Sequence, residues 1–148
     1  MIYIGFDHRG SELAYTLVEK LLNMEESVNM PTELLGEVVD YPTVAKEVCA
    51  KVKGDNGSIG ILICGTGIGM CMAANRQKGI RAVLANNEEQ AYFARRHEDA
   101  NVLVLSAGYK DENFSIKQPK KVLEIINTFK NTMFEGGRHT PRIEMLDL

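Results

Sequence analysis

The stretch IGILICGTGIGM, residues 59–70, decides the fold. A short apolar run, Ile59 to Ile63, has the length and branched content of a buried strand. It ends at Cys64, and Gly65, Gly67 and Gly69 follow at alternating positions. A helix is predicted over 69–77. A buried strand, a tight turn and a helix make the basic unit of a parallel α/β sheet.

Working outward, the same alternation recurs. Strands are predicted at 2–6, 34–39, 59–64, within KGIRAVLA and at NVLVLS. Helices are predicted over 12–24 behind a Ser11 cap, 44–53, from an Asn87 cap through 96, and 120–132. The segments MEESVNMPTE and AGYKDENFSIKQP read as loops, and the tail from FEGGRH is irregular at first. Connections of this length do not make hairpins, so right-handed parallel crossovers are expected. The expected fold is a single α/β domain over 1–148, a three-layer α/β/α sandwich around a Rossmann-like five-stranded parallel sheet. In such sheets ligands sit at the carboxyl ends of the strands.

The bulk numbers fit one soluble domain. The chain has 148 residues, 45% hydrophobic and 25% charged, with a net charge of −3. That charge does not favour nucleic acid or an anionic membrane as a partner. Cys49, Cys64 and Cys71 form no zinc pattern and no C-x-x-C, so a reducing, cytoplasmic setting is expected. No apolar window is long enough for a membrane span, and Asp7 arrives too soon for a signal peptide.

The glycine turn excludes several familiar loops. No Lys-Ser or Lys-Thr follows it, as a P-loop needs, and its G-x-G-x-G spacing is not the dinucleotide pattern. No arginine closes on Cys64 as a phosphatase loop would require. What remains is a backbone nest for an anion, strengthened by the following helix N-terminus. Such a field lowers a thiol's pKa. Cys64 is then a base or a nucleophile, or simply a small packed side chain. Cys49 and Cys71 read as packing residues. Polar residues gather at other loop-like places: Asp7-His8-Arg9, Asp40-Tyr41, RRHEDAN at 95–101, and GGRHTPR near the end. All three histidines fall in these stretches. Arg138 and Arg142 flank a proline and need not share a helical face.

Together GFDHRG, VDYP, ICGTGIGMCMAANR, GIRAVLA, ARRHEDANVLVL and FEGGRHTPR resemble, in order and over nearly the whole chain, the ribose-5-phosphate isomerase B family. That family includes the galactose-6-phosphate isomerase subunits. The resemblance implies an aldose–ketose isomerase that interconverts ribose 5-phosphate and ribulose 5-phosphate through an enediolate. It implies Cys64 as general base, Thr66 handling protons near the oxygens, and His97 opening the furanose ring. The backbone of Gly65, Gly67 and Gly69 would hold the enediolate. Asp7 and Asn101 would hold sugar hydroxyls, Tyr41 would line the pocket, and His8, Arg138 and Arg142 would clamp the phosphate. It implies no metal, no cofactor, and a homodimer or tetramer with shared sites. The chain departs from the family past NVLVLS, where an arginine is usual. It has Ser106-Ala107-Gly108-Tyr109-Lys110 and several extra residues, with Lys110 the candidate replacement. That departure keeps two other readings open: a six-carbon sugar phosphate (allose or galactose 6-phosphate) as substrate, or a non-catalytic sugar-phosphate binder.

Overall fold

The computed structural model describes residues 1–31, 39–108 and 119–147. Its sheet is built from β1 (Ile2–Phe6), β2 (Val28–Asn29), β3 (Ile59–Cys64), β4 (Ala82–Leu84) and β5 (Val102–Ser106). The helices are α1 (Ser11–Asn23), α2 (Tyr41–Lys53), α3 (Ile68–Asn75), α4 (Glu88–Glu98), α5 (Pro119–Asn131) and α6 (Thr140–Leu146). All strand pairs are parallel, in the order β2-β1-β3-β5-β4.

Alternation along the central strands sorts the core into two layers. Ile61, Ile63, Leu103 and Leu105 pack with α1, α4 and α5, while Leu62, Cys64, Val102 and Val104 pack with α2 and α3. Strands buried on both faces must be apolar throughout, which is why IGILIC and VLVLS carry no alternation of polarity. The Cys64 side chain therefore belongs to the α2/α3 face. On α5 the stripe Val122, Ile125, Ile126 and Phe129 is buried. Each such side chain is worth roughly 1.5–3 kcal/mol when fully buried.

Four expectations change in detail. The strand beside β1 is Val28–Asn29, inside the segment read as a loop. It has only two residues, one of them exposed, so no pattern marks it. The strand expected at 34–39 falls almost wholly outside the described residues, and Val39 belongs to no strand. Gly10, not Ser11, occupies the cap of α1, and the Ser11 hydroxyl donates instead to the His8 carbonyl at 3.1 Å. Helix α1 ends at Asn23, one residue short of the expected 24, and Met24 is exposed. The Asn87 cap is as expected, its side-chain oxygen accepting from Gln90 N–H at 2.8 Å.

Edge strand β4 has a neighbour in α3. The Asn75 amide accepts from Ala82 N–H at 2.8 Å and donates to Ala82 C=O at 2.9 Å. One helical turn away, Cys71 lies 3.7 Å from the same carbonyl. Beside this edge runs a groove of about 620 Å³ lined by Ile80, Val83, Leu84, Phe93, His97 and Leu146, among others. Among the described residues no helix is long and apolar enough to cross a membrane.

Candidate active site

From β1 the chain turns to β2 on one side and later to β3 on the other. Such a reversal opens a crevice at the carboxyl ends of the two flanking strands. Asp7 and Cys64 stand at that point, and Asp7 N–H donates to Ile63 C=O at 3.2 Å. Asp7 is buried, and its Oδ1 accepts from the N–H groups of Arg9 at 3.0 Å and Gly10 at 3.1 Å. The turn that buries Asp7 carries His8 outward into solvent.

The glycine turn closes on the cysteine itself. Gly67 N–H donates to Cys64 Sγ at 3.2 Å. Gly67 has φ +78°, in the left-handed region, and an added Cβ would lie 2.4 Å from Leu84 Cδ1. Only glycine meets both conditions without strain. Gly69 lies under the Tyr41 ring, whose Cζ would be 2.7 Å from an added Cβ. Tyr41 is thus drawn over the loop from the first turn of α2. Thr66 is exposed, and its Oγ accepts from Ile68 N–H at 3.2 Å. Its hydroxyl proton is left to donate outward. Behind the loop, Gly65 C=O accepts from Ser106 Oγ at 2.7 Å and from Gly108 N–H at 2.9 Å.

The expected field is present, but the net effect on the thiol is the reverse of the expectation. Burial pushes Cys64 above the usual thiol range, with the Asp7 carboxylate adding to it. The main-chain N–H groups of Met70, Gly67 and Thr66 pull the other way. Helix and nest therefore offset desolvation without overcoming it. They also aim at the sulfur, so the Gly67 N–H is already engaged, not waiting for a substrate oxygen. Cys49 is fully buried and pushed up to about 11 by burial, as a packing residue.

The remaining expected residues lie elsewhere in the protomer. Helix α4 runs back from the carboxyl end of β4 toward the amino end of β5, so His97, in its last turn, lies at the opposite end of the sheet from Cys64. Cys64 pairs with Ser106 at the far end of β5, roughly 15 Å along the strand at about 3.3 Å per residue. His97 is on a helix, not in a loop. It stacks on His139 with ring centroids 4.3 Å apart and planes at 15°. The tail is also more regular than expected. Gly137–His139 forms a 3₁₀ turn that leads into α6, with Pro141 at its start. Proline is well placed in a first helical turn, so Arg138 and Arg142 sit one helical turn apart, both exposed.

Asn101 does not join the Cys64 group. Its Oδ1 accepts from Arg81 N–H at 2.9 Å and its Nδ2 donates to Gly79 C=O at 3.0 Å. It holds the entry to β4 at the amino end of the sheet, which accounts for a polar residue before a buried strand. Lys110 lies outside the described residues. Sequence reasoning missed Ser106, Glu135 and the place of His139. Ser106 was legible only as a polar end to an apolar strand, and Glu135 only as the acid ahead of two glycines. His97, Glu135 and His139 offer ligand atoms within 4.8 Å of one another.

This arrangement can be set beside known proteins. A sequence profile of the family described as Ribose/Galactose Isomerase matches residues 2–146. The chain belongs to this family. Among relatives, a probable ribose-5-phosphate isomerase B from Mycoplasma pneumoniae is 40% identical over 144 residues, 96% of this chain and 90% of the relative. The solved ribose 5-phosphate isomerase of Thermotoga maritima superposes with a TM-score of 0.88 at 38% identity, covering 99% of this chain and 96% of its own. Ribose-5-phosphate isomerase B from Mycoplasma genitalium, solved with bound ribulose-5-phosphate, gives a TM-score of 0.86 at 38% identity, covering 99% and 93%. The sequence resemblance and the Rossmann-like sandwich both hold, and membership of the isomerase family makes this chain an isomerase of sugar phosphates.

Proposed function

We propose that the protein interconverts ribose 5-phosphate and ribulose 5-phosphate through an enediolate. The observation that carries the reading is the Cys64 sulfur, cradled by the Gly67 N–H at 3.2 Å at the strand-order reversal, between Asp7 and Thr66. As thiolate, Cys64 takes the C2 proton of the open-chain aldose and the C1 carbonyl oxygen becomes the enediolate oxygen. The proton returns to C1 while the hydroxyl proton of O2 moves to O1. The Thr66 hydroxyl donates to the developing charge. Asp7 and Tyr41 orient the sugar, and Gly65, Gly67 and Gly69 shape the loop that faces it. This route needs no metal and no organic cofactor.

The aldose arrives as a furanose, and His97 opens it by moving a proton between the ring oxygen and the C1 hydroxyl. Because His97, Arg138 and Arg142 lie at the other end of the sheet, a second copy supplies them. An isologous dimer with its axis across the strands sets the amino end of one sheet against the carboxyl end of the other and makes two identical sites. The groove beside β4, with His97 in its wall, is the surface such a copy would cover. His8 then meets the two arginines at the phosphate. A cytoplasmic homodimer fits this chemistry.

The test is turnover of ribose 5-phosphate by the purified protein and by Cys64→Ala. The variant should lose about 10²–10⁴-fold, the usual worth of a positioned acid–base group; near wild-type turnover sinks the assignment. The family description also names galactose, so allose and galactose 6-phosphates belong in the same assay. A clear preference for either overturns the pentose reading, and no turnover on any sugar leaves a binding protein.

A further inference from the structure

The cluster around His97 contains more than ring opening by a lone imidazole requires. One face of His97 stacks on His139, and Phe93 stands against the ring at 4.9 Å with a 48° tilt. Glu135 Oε2 lies 2.9 Å from His139 Nε2 and 3.9 Å from His97 Nε2. The other carboxylate oxygen is 3.5 Å from Arg96 Nη2. The main chain adds a second tie, since Glu135 N–H donates to Arg96 C=O at 3.0 Å. His139 is 5% exposed while Glu135 is exposed, so their hydrogen bond is partly buried.

Two stacked imidazoles repel each other if both are charged, whereas one carboxylate between them stabilises a single shared positive charge. Glu135 is able to hold that charge partner in its ionised form. Burial works against ionisation, but the His139 hydrogen bond and the charges of Arg96, His139 and Arg138 outweigh it and keep the carboxyl below its usual range. The ring of His97 is also held by two ring contacts, stacked on His139 and tilted against Phe93. Glu135 hydrogen-bonds His139 and approaches His97 Nε2 only to 3.9 Å, so it acts on the working imidazole through the stacked ring and through charge.

We propose that Glu135 and His139 are positioning residues for His97, fixing its ring plane and setting a carboxylate charge beside its Nε2. Ring opening depends on them, and proton transfer at carbon does not. The inference rests on the reading of His97 and Cys64 given above, and the two steps can be separated by chemistry. The C5 oxygen of ribulose 5-phosphate is esterified, so this ketose has no hydroxyl with which to close a furanose. Exchange of its C1 hydrogen with deuterated water therefore needs enediolate formation but no ring opening.

The experiment compares Glu135→Gln with the wild-type protein in both reactions. Turnover of ribose 5-phosphate at saturation should fall about tenfold or more, a fraction of the 10²–10⁴ that an acid–base group is worth. Exchange at C1 of ribulose 5-phosphate, followed by proton NMR, should stay within about twofold on the same basis. Glu135→Asp, which keeps the charge, should recover part of the lost turnover. Equal slowing of both reactions by Glu135→Gln, or unchanged ribose 5-phosphate turnover, overturns the proposal. Exchange that survives in Cys64→Ala overturns the base assignment instead, so the two failures are distinguishable.

Discussion

The carboxyl end of the sheet organises its polar chemistry with main-chain groups, whereas the amino end uses charged side chains. Around Cys64 most hydrogen bonds run through the main chain: Gly67 N–H on the sulfur, Arg9 and Gly10 N–H on the Asp7 carboxylate, Ile68 N–H on the Thr66 hydroxyl, and Ser106 and Gly108 on Gly65 C=O. At the other end Arg81 pairs with Asp99 and Asp147, Arg95 with Asp99, and Glu135 with Arg96 and His139. The main-chain groups are set once the loop is folded and do not themselves titrate. A side-chain site gains and loses charge, which suits proton handling on a cyclic sugar and grip on a phosphate. The proposed reaction needs both, and one protomer keeps them at opposite ends.

The strongest test of that separation is complementation. Cys64→Ala and His97→Asn should each be nearly inactive alone. Mixed under conditions that exchange subunits, they should recover about a quarter of wild-type activity, because half the dimers are mixed and each holds one intact site of two. No recovery would mean that the two ends do not meet across copies.

A smaller effect should separate the ends by their tolerance. Gly67→Ala places a Cβ against Leu84 at a left-handed position, a strain of about 1–3 kcal/mol. Thermal unfolding should move down and turnover with it. A variant as stable and active as the wild type would show that the loop is less tightly built than its geometry implies.

The smallest effect concerns pH. With the Cys64 pKa raised by burial and then by Asp7, the thiol form dominates at neutral pH. The kcat/KM should therefore rise with pH and level off only once the raised thiol value is passed. Asp7→Asn removes one contributor to the rise, so the limb should move to lower pH, whatever its cost in sugar binding. A limb that stays put would remove Asp7 from the electrostatics of the sulfur.

The sequence made the main-chain end legible and left the side-chain end scattered. Apolar runs mark β1, β3 and β5 because strands buried on both faces admit little else. The turn after β3 is marked because its backbone demands glycine. Val28–Asn29 carries no signal, since two residues at a sheet edge bury too little to constrain their identity. The place of Asn101 was hidden for a different reason. A polar residue before a buried strand looks the same whether it touches a sugar or secures Arg81 and Gly79, and only the sheet's direction separates the two. Glu135 and His139 meet through a 3₁₀ turn begun by two glycines with positive φ, a path that no helical or strand spacing describes.

Asn75 has a consequence for association. Its amide occupies both outward hydrogen-bonding groups of Ala82, in the manner of one residue of a neighbouring strand, and the Cys71 sulfur lies beside them. An exposed parallel edge is a template on which other chains can zip up into aggregates. Here the first rung of a three-residue edge is already taken by the protein's own helix, so copies of this chain are steered to meet through side chains and not by extending the sheet.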